Sequence, residues 1–143
     1  MARKFAREAL MKLLYEKDIA GEHHEESLLA LIEEFQLIEN DEKYIREILY
    51  SMDQKQSMID IYIEKYAKEW TVDRMSKVDL AILRLAMFEI LYREDIPYSV
   101  SINEAVELAK KYSSEKSSSF INGILGNFIR MESLEKNKGL ENQ

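Results

Sequence analysis

A chain of 143 residues with a net charge of −7 and a 46% hydrophobic fraction is most simply one domain, 1–143, large enough to bury about 68–70% of its unfolded surface, and that composition excludes wholesale disorder. The absence of cysteine excludes disulfides and thiolate metal sites. Four glycines and one proline are too few for the turns of an all-β chain, and the wealth of Leu, Ala, Glu, Lys and Met points to an all-α fold.

The first helix is expected from about Arg3 to Lys17, where Phe5, Ala6, Ala9, Leu10, Leu13 and Leu14 recur at helical spacing, with Gly21 ending the segment. A second follows from about Glu25 to Gln36, burying Leu28, Leu29, Leu31, Ile32 and Phe35. Asn40 or Asp41 suits the N-cap of a third, with Tyr44, Ile45, Ile48, Leu49 and Met52 inward. A break is expected near Asp53 to Gln56, then a fourth helix from about Ser57 to Lys68 and a connector through Trp70-Thr71-Val72-Asp73, anchored by Trp70.

Ser76-Lys77-Val78-Asp79 has the sense of a capping box, and the helix it opens, to about Arg93, is apolar on nearly every side, as a central helix must be. Pro97 stops its continuation. Ser101-Ile102-Asn103-Glu104 reads as a full capping box for a helix to about Tyr112, and the polar run Ser113 to Ser119 as a loop supplying another N-cap. The last helix, from about Ser118 to Ser133, carries Gly123 and Gly126, each costing about 1 kcal/mol relative to Ala. Close helix packing is the simplest reason for them. Residues 134–143 read as a flexible tail, and no repeat of fixed period is present.

Charge is uneven. Arg3, Lys4, Arg7, Lys12 and Lys17 outnumber the acids of the first twenty residues, whereas residues 22–47 carry nine acids against Lys43 and Arg46. A chain this acidic should bind nucleic acid weakly alone, because phosphate attraction dominates such affinity. Nothing indicates catalysis or metal. His23-His24-Glu25-Glu26 lacks metal-ligand spacing, no nucleophile–base arrangement has support, and Gly123-Ile124-Leu125-Gly126 lacks the strand and lysine of a phosphate loop. No cofactor, metal or enzymatic activity is expected. No apolar run approaches a membrane span and no signal-peptide core follows the basic start, so a soluble cytoplasmic protein with no membrane contact is expected.

Three blocks then carry a family resemblance: Arg3-Lys4-Phe5-Ala6-Arg7-Glu8-Ala9 with Leu14-Tyr15; Trp70, Arg74-Met75, Val78-Asp79 and Ala81 to Ala86 through Glu89; and Ile96-Pro97, Ile102 to Ala109 and Phe120-Ile121-Asn122-Gly123-Ile124-Leu125. On these the chain resembles the NusB family of bacterial transcription antitermination factors along essentially its whole length. The resemblance implies about seven helices in two packed subdomains, roughly 1–68 and 69–133. It implies binding to boxA-containing single-stranded RNA jointly with NusE, a small ribosomal-subunit protein, in an RNA polymerase antitermination complex for ribosomal RNA. Similar helical domains also precede the catalytic domain of some RNA cytosine methyltransferases, but here no cofactor-binding sheet is expected after the helical part. The alternative from another class is a protein-interaction module without RNA binding. Some family members pair with themselves, which leaves a homodimer open.

Arg3, Lys4 and Arg7 read from residues alone as a solvated first turn, with cations poorly placed against the helix dipole; the resemblance implies that they contact RNA phosphate. Tyr15 and Phe120 are candidates for stacking unpaired bases, with Lys116 as a neighbouring cation and Asn122 as either a base-edge contact or a local cap. For the partner protein the resemblance implies Asp73, Arg74, Asp79 and Glu89. Arg84 is expected to be a buried arginine paired to a carboxylate, with Glu104 or Glu107 in view.

Overall fold

A computed structural model describes residues 3–132, so the expected tail at 134–143 lies outside the described residues. It contains α1 (Lys4–Ala20), α2 (Glu25–Glu34), α3 (Glu39–Ala67), a 3₁₀ turn (Val72–Arg74), α4 (Lys77–Tyr92), α5 (Tyr98–Tyr112) and α6 (Glu115–Met131), and no strand among the described residues. The all-α expectation holds. Among the described residues six helices stand where about seven were expected, because the break expected at Asp53–Gln56 is absent. That stretch is polar but holds neither Gly nor Pro, so it solvates a helix surface as readily as a loop. The chain divides into two compact units, Met1–Lys55 and Gln56–Gln143. The division therefore falls inside α3, whereas the resemblance implied subdomains of roughly 1–68 and 69–133.

In the first unit, Ala6, Ala9, Leu10, Leu13 and Leu14 of α1, Leu28 of α2, and Tyr44, Ile45, Ile48 and Met52 of α3 are buried. Gly21 terminates α1 at φ 87°, and its amide donates to the Lys17 carbonyl at 2.8 Å. A residue without Cβ takes this left-handed cap with least strain. The entry to α2 is held from α1: the Glu16 carboxylate accepts from the His24 amide at 2.9 Å and from the Ser27 hydroxyl at 2.7 Å. Burial pushes this carboxyl up, but those two hydrogen bonds and the nearby histidines outweigh it and leave its pKa below the usual glutamate value. At the start of α3 neither Asn40 nor Asp41 is the cap. Asp41 lies inside the first turn, and its Oδ2 accepts from the Ile38 amide at 3.3 Å, the returning arm of a capping box.

The second unit is built on α4, whose residues Asp79 to Ile90 are all buried, with α5 and α6 packed on it. Its start follows the sequence reading, since Ser76 Oγ accepts from the Asp79 amide at 3.1 Å. The capping box expected at Ser101 does not form. The helix α5 begins a turn earlier, with Pro97 at the cap position, and the buried Ser101 hydroxyl donates to Glu89 Oε1 at 2.7 Å. Proline at a helix start costs no hydrogen bond, because amides there lack intrahelical partners. Ser114 caps α6 by accepting from the Ser117 amide at 3.0 Å, so most of the serine run is helix. Arg84 is a buried arginine as expected. Its carboxylate partner is Asp60 of α3, reached by Nε at 2.9 Å and by a terminal nitrogen at 2.8 Å.

The glycines of α6 do not mark close packing. A Cβ on Gly123 would meet nothing within 4 Å, and one on Gly126 would make only ordinary contact with Arg130 at 3.6 Å.

Candidate functional site

The sequence-derived site residues divide between the two units. In the first, Arg3 and Lys4 precede and open α1. The Arg3 guanidinium lies 4.6 Å from the Tyr44 ring centroid and Lys4 is exposed. Arg7 differs. It is only 3% exposed, on the side of α1 that buries Ala6 and Leu10, so the phosphate contact expected of it has no surface in this structure. Tyr15 is exposed on the same helix.

In the second unit the structure gathers residues that the sequence had assigned to two separate surfaces. Arg74, Asp79, Lys116 and Phe120, together with Trp70, Met75, Ser76, Ser114 and Ser117, line one cleft of about 330 Å³. Three elements make it: the 3₁₀ turn before α4, the first turn of α4, and the capped start of α6. The capping serines bring α4 and α6 to it by their N-terminal ends, and Ser117 Oγ ties the two by donating to Asp79 Oδ2 at 2.8 Å.

The aromatic wall is a pair. Trp70, 48% exposed, meets Phe120 edge to face with ring centroids 6.4 Å apart. Phe120 is half-buried, Arg74 and Lys116 are exposed cations, and Asp79 is 8% exposed. Its Oδ1 is buried and accepts no hydrogen bond among the described residues. A buried acceptor left unmet costs about 1–3 kcal/mol. Flat apolar rings with cations beside them can receive an aromatic ligand that carries a negative charge.

The remaining candidates fall outside the cleft. Asn122 is exposed farther along α6. Asp73 is exposed on the 3₁₀ turn, where a hydrogen bond with the Thr71 side chain holds its carboxyl below the usual range. Glu89 is 1% exposed and is the Ser101 hydroxyl's acceptor. The partner contact expected of Glu89 gives way to this interior role. Trp70, read from sequence only as an anchor, and Ser114 and Ser117, read as loop, were missed as cleft residues. The one available signal was a tryptophan flanked by polar residues, which is hard to bury completely.

A sequence model described as the NusB family matches residues 2–130. The chain belongs to the NusB family. Its relatives include the transcription antitermination protein NusB of Acetivibrio thermocellus, 49% identical over 92% of this chain and 91% of that protein, and that of Natranaerobius thermophilus, 49% identical over 87% and 92%. Among solved structures, the NusB of T. maritima is 34% identical with a TM-score of 0.80, covering 90% of each chain. A chain of the crystal structure of antitermination factors NusB and NusE in complex with dsRNA is 27% identical with a TM-score of 0.79, covering 91% of this chain and 97% of that one. The NusB fold thus extends over nearly all the described residues, the cleft included. Among those residues no three His, Asp or Glu side chains are grouped to hold a metal ion, and no helix is long and apolar enough to cross a membrane.

Proposed function

We propose that this protein is a cytoplasmic, non-enzymatic transcription antitermination factor that binds boxA RNA together with a NusE-type ribosomal protein and so promotes processive ribosomal RNA transcription. The observation that carries this reading is the cleft of the second unit, set in a chain whose relatives are antitermination proteins. A splayed base would lie against Phe120 and Trp70. Lys116 would meet a flanking phosphate, and Arg3 and Lys4 would supply further positive charge on the first unit. Asn122 and Tyr15, both exposed, are accessory RNA contacts in this reading, and Asp73 and Arg74 are the charges offered to the partner protein.

The net charge of −7 sets the mechanism. Phosphate neutralisation supplies most nucleic-acid affinity, and this chain offers few cations for it. The partner must bring the rest, so RNA binding and partner binding are coupled. Stacking on exposed rings favours unpaired over paired RNA.

The test is a titration of fluorescent boxA-type RNA, single-stranded and as a duplex, with and without the NusE-type protein at several salt concentrations. Weak binding alone, a marked gain with partner, and preference for the single strand are expected. Equal affinity with and without partner would overturn the coupling.

A further inference from the structure

We infer that Phe5 and Phe35 form a second base-stacking platform, on the first unit, for single-stranded RNA; the inference rests on the RNA-binding reading above. The two rings, one at the start of α1 and one just past α2, are stacked with centroids 5.7 Å apart and planes 19° from parallel. Phe5 remains 49% exposed. A large apolar side chain packed on one ring and about half exposed is a ready face for a third flat ring. Lys12 lies 5.5 Å from the Phe35 centroid, a cation–π contact that holds the lower ring of the stack.

Charge favours RNA over an apolar peptide as the occupant. Residues 3–12 carry Arg3, Lys4, Arg7 and Lys12 against Glu8 alone. Arg7 and Glu8 are both buried, so Arg3, Lys4 and Lys12 are the charges this segment leaves for a ligand. Lys4, next to Phe5 in sequence and exposed, can neutralise the phosphate of the nucleotide whose base is stacked. The exposed Glu33 and Glu34, just before Phe35, oppose a longer phosphate track. The platform therefore suits one nucleotide rather than a duplex face, and base stacking on aromatic rings tolerates any sequence.

The experiment uses the full chain with the NusE-type partner and single-stranded RNA extended at both ends of boxA, read by fluorescence anisotropy. F5A and F5L, the second keeping apolar bulk on Phe35 without a π-face, are compared with F5W and F120A. Thermal melting of each variant monitors the fold. F5A and F5L should weaken RNA binding about tenfold, the scale of one lost base–aromatic stack, while F5W keeps it and E33Q/E34Q raises it. If F120A weakens binding but F5A and F5L do not, the platform is wrong and the proposed function stands. If the unaltered protein with partner binds no RNA, the proposed function fails and the platform with it. Loss of partner binding by F5L in the absence of RNA would make this a protein-docking surface and overturn the inference.

Discussion

Arg84 on α4 grips Asp60 on α3 through two parallel hydrogen bonds of 2.9 and 2.8 Å, joining the largely apolar helix to the one that precedes it. Two-point geometry is the strong form of this pair. Removing one partner strands a charge in the interior. R84M is expected to lower unfolding stability by about 3 kcal/mol, the lower end for a buried pair because Asp60 keeps some exposure. D60N should cost less, since its amide oxygen still accepts. Denaturant unfolding of the two single variants and the double variant checks this, and additive effects would rule out direct coupling.

Glu16 makes the stability of the first unit depend on pH. Its folded pKa is depressed. Its contribution is therefore complete above the ordinary glutamate pKa, about 4.3, and fades as pH falls through the lower folded value. E16Q should lose about 1 kcal/mol at neutral pH, the scale of a helix cap, and flatten the decline of stability on acidification. Melting curves from pH 7 to pH 3 give both quantities.

Two glycines should respond oppositely to alanine. Gly21 sits at φ 87° with open space around it, so G21A is strained by backbone alone and should destabilise by about 1 kcal/mol. Gly123 lies within α6 with nothing near its missing Cβ. G123A should stabilise by about 0.5–1 kcal/mol through helix propensity. Destabilisation by G123A would mean that α6 is not regular at this position.

The cleft separates stacking from charge. F120A should weaken single-stranded RNA binding by about 1–3 kcal/mol in the partner complex. K116Q should reduce the slope of log affinity against log salt by about 1 and leave base preference unaltered. An unchanged slope would remove Lys116 from phosphate contact.

Local chemistry explains what could be read from the chain and what could not. Runs of apolar residues at helical spacing located the helices, with α3 read as two, and Gly21 and Ser76 marked real ends because their effects depend on immediate neighbours alone. Ser101 misled because a serine three residues before a glutamate looks the same whether its hydroxyl faces a helix start or a buried carboxylate. Asp60 was missed as the partner of Arg84, being remote in sequence on a helix thought to be short. The cleft shows the same limit. Phe120 was found through its sequence block and Lys116 as a cation near it, but their association with Asp79 and Trp70 requires two helix starts to meet, and no local pattern encodes that meeting.

The unbroken course of α3 through Lys55 and Gln56 means that the chain passes from one unit to the other within a helix. A protease hunting for an exposed linker finds none there. A fragment cut at that point would begin with raw helical amides lacking acceptors. Anyone dissecting the protein should keep α3 whole and let both pieces overlap along it.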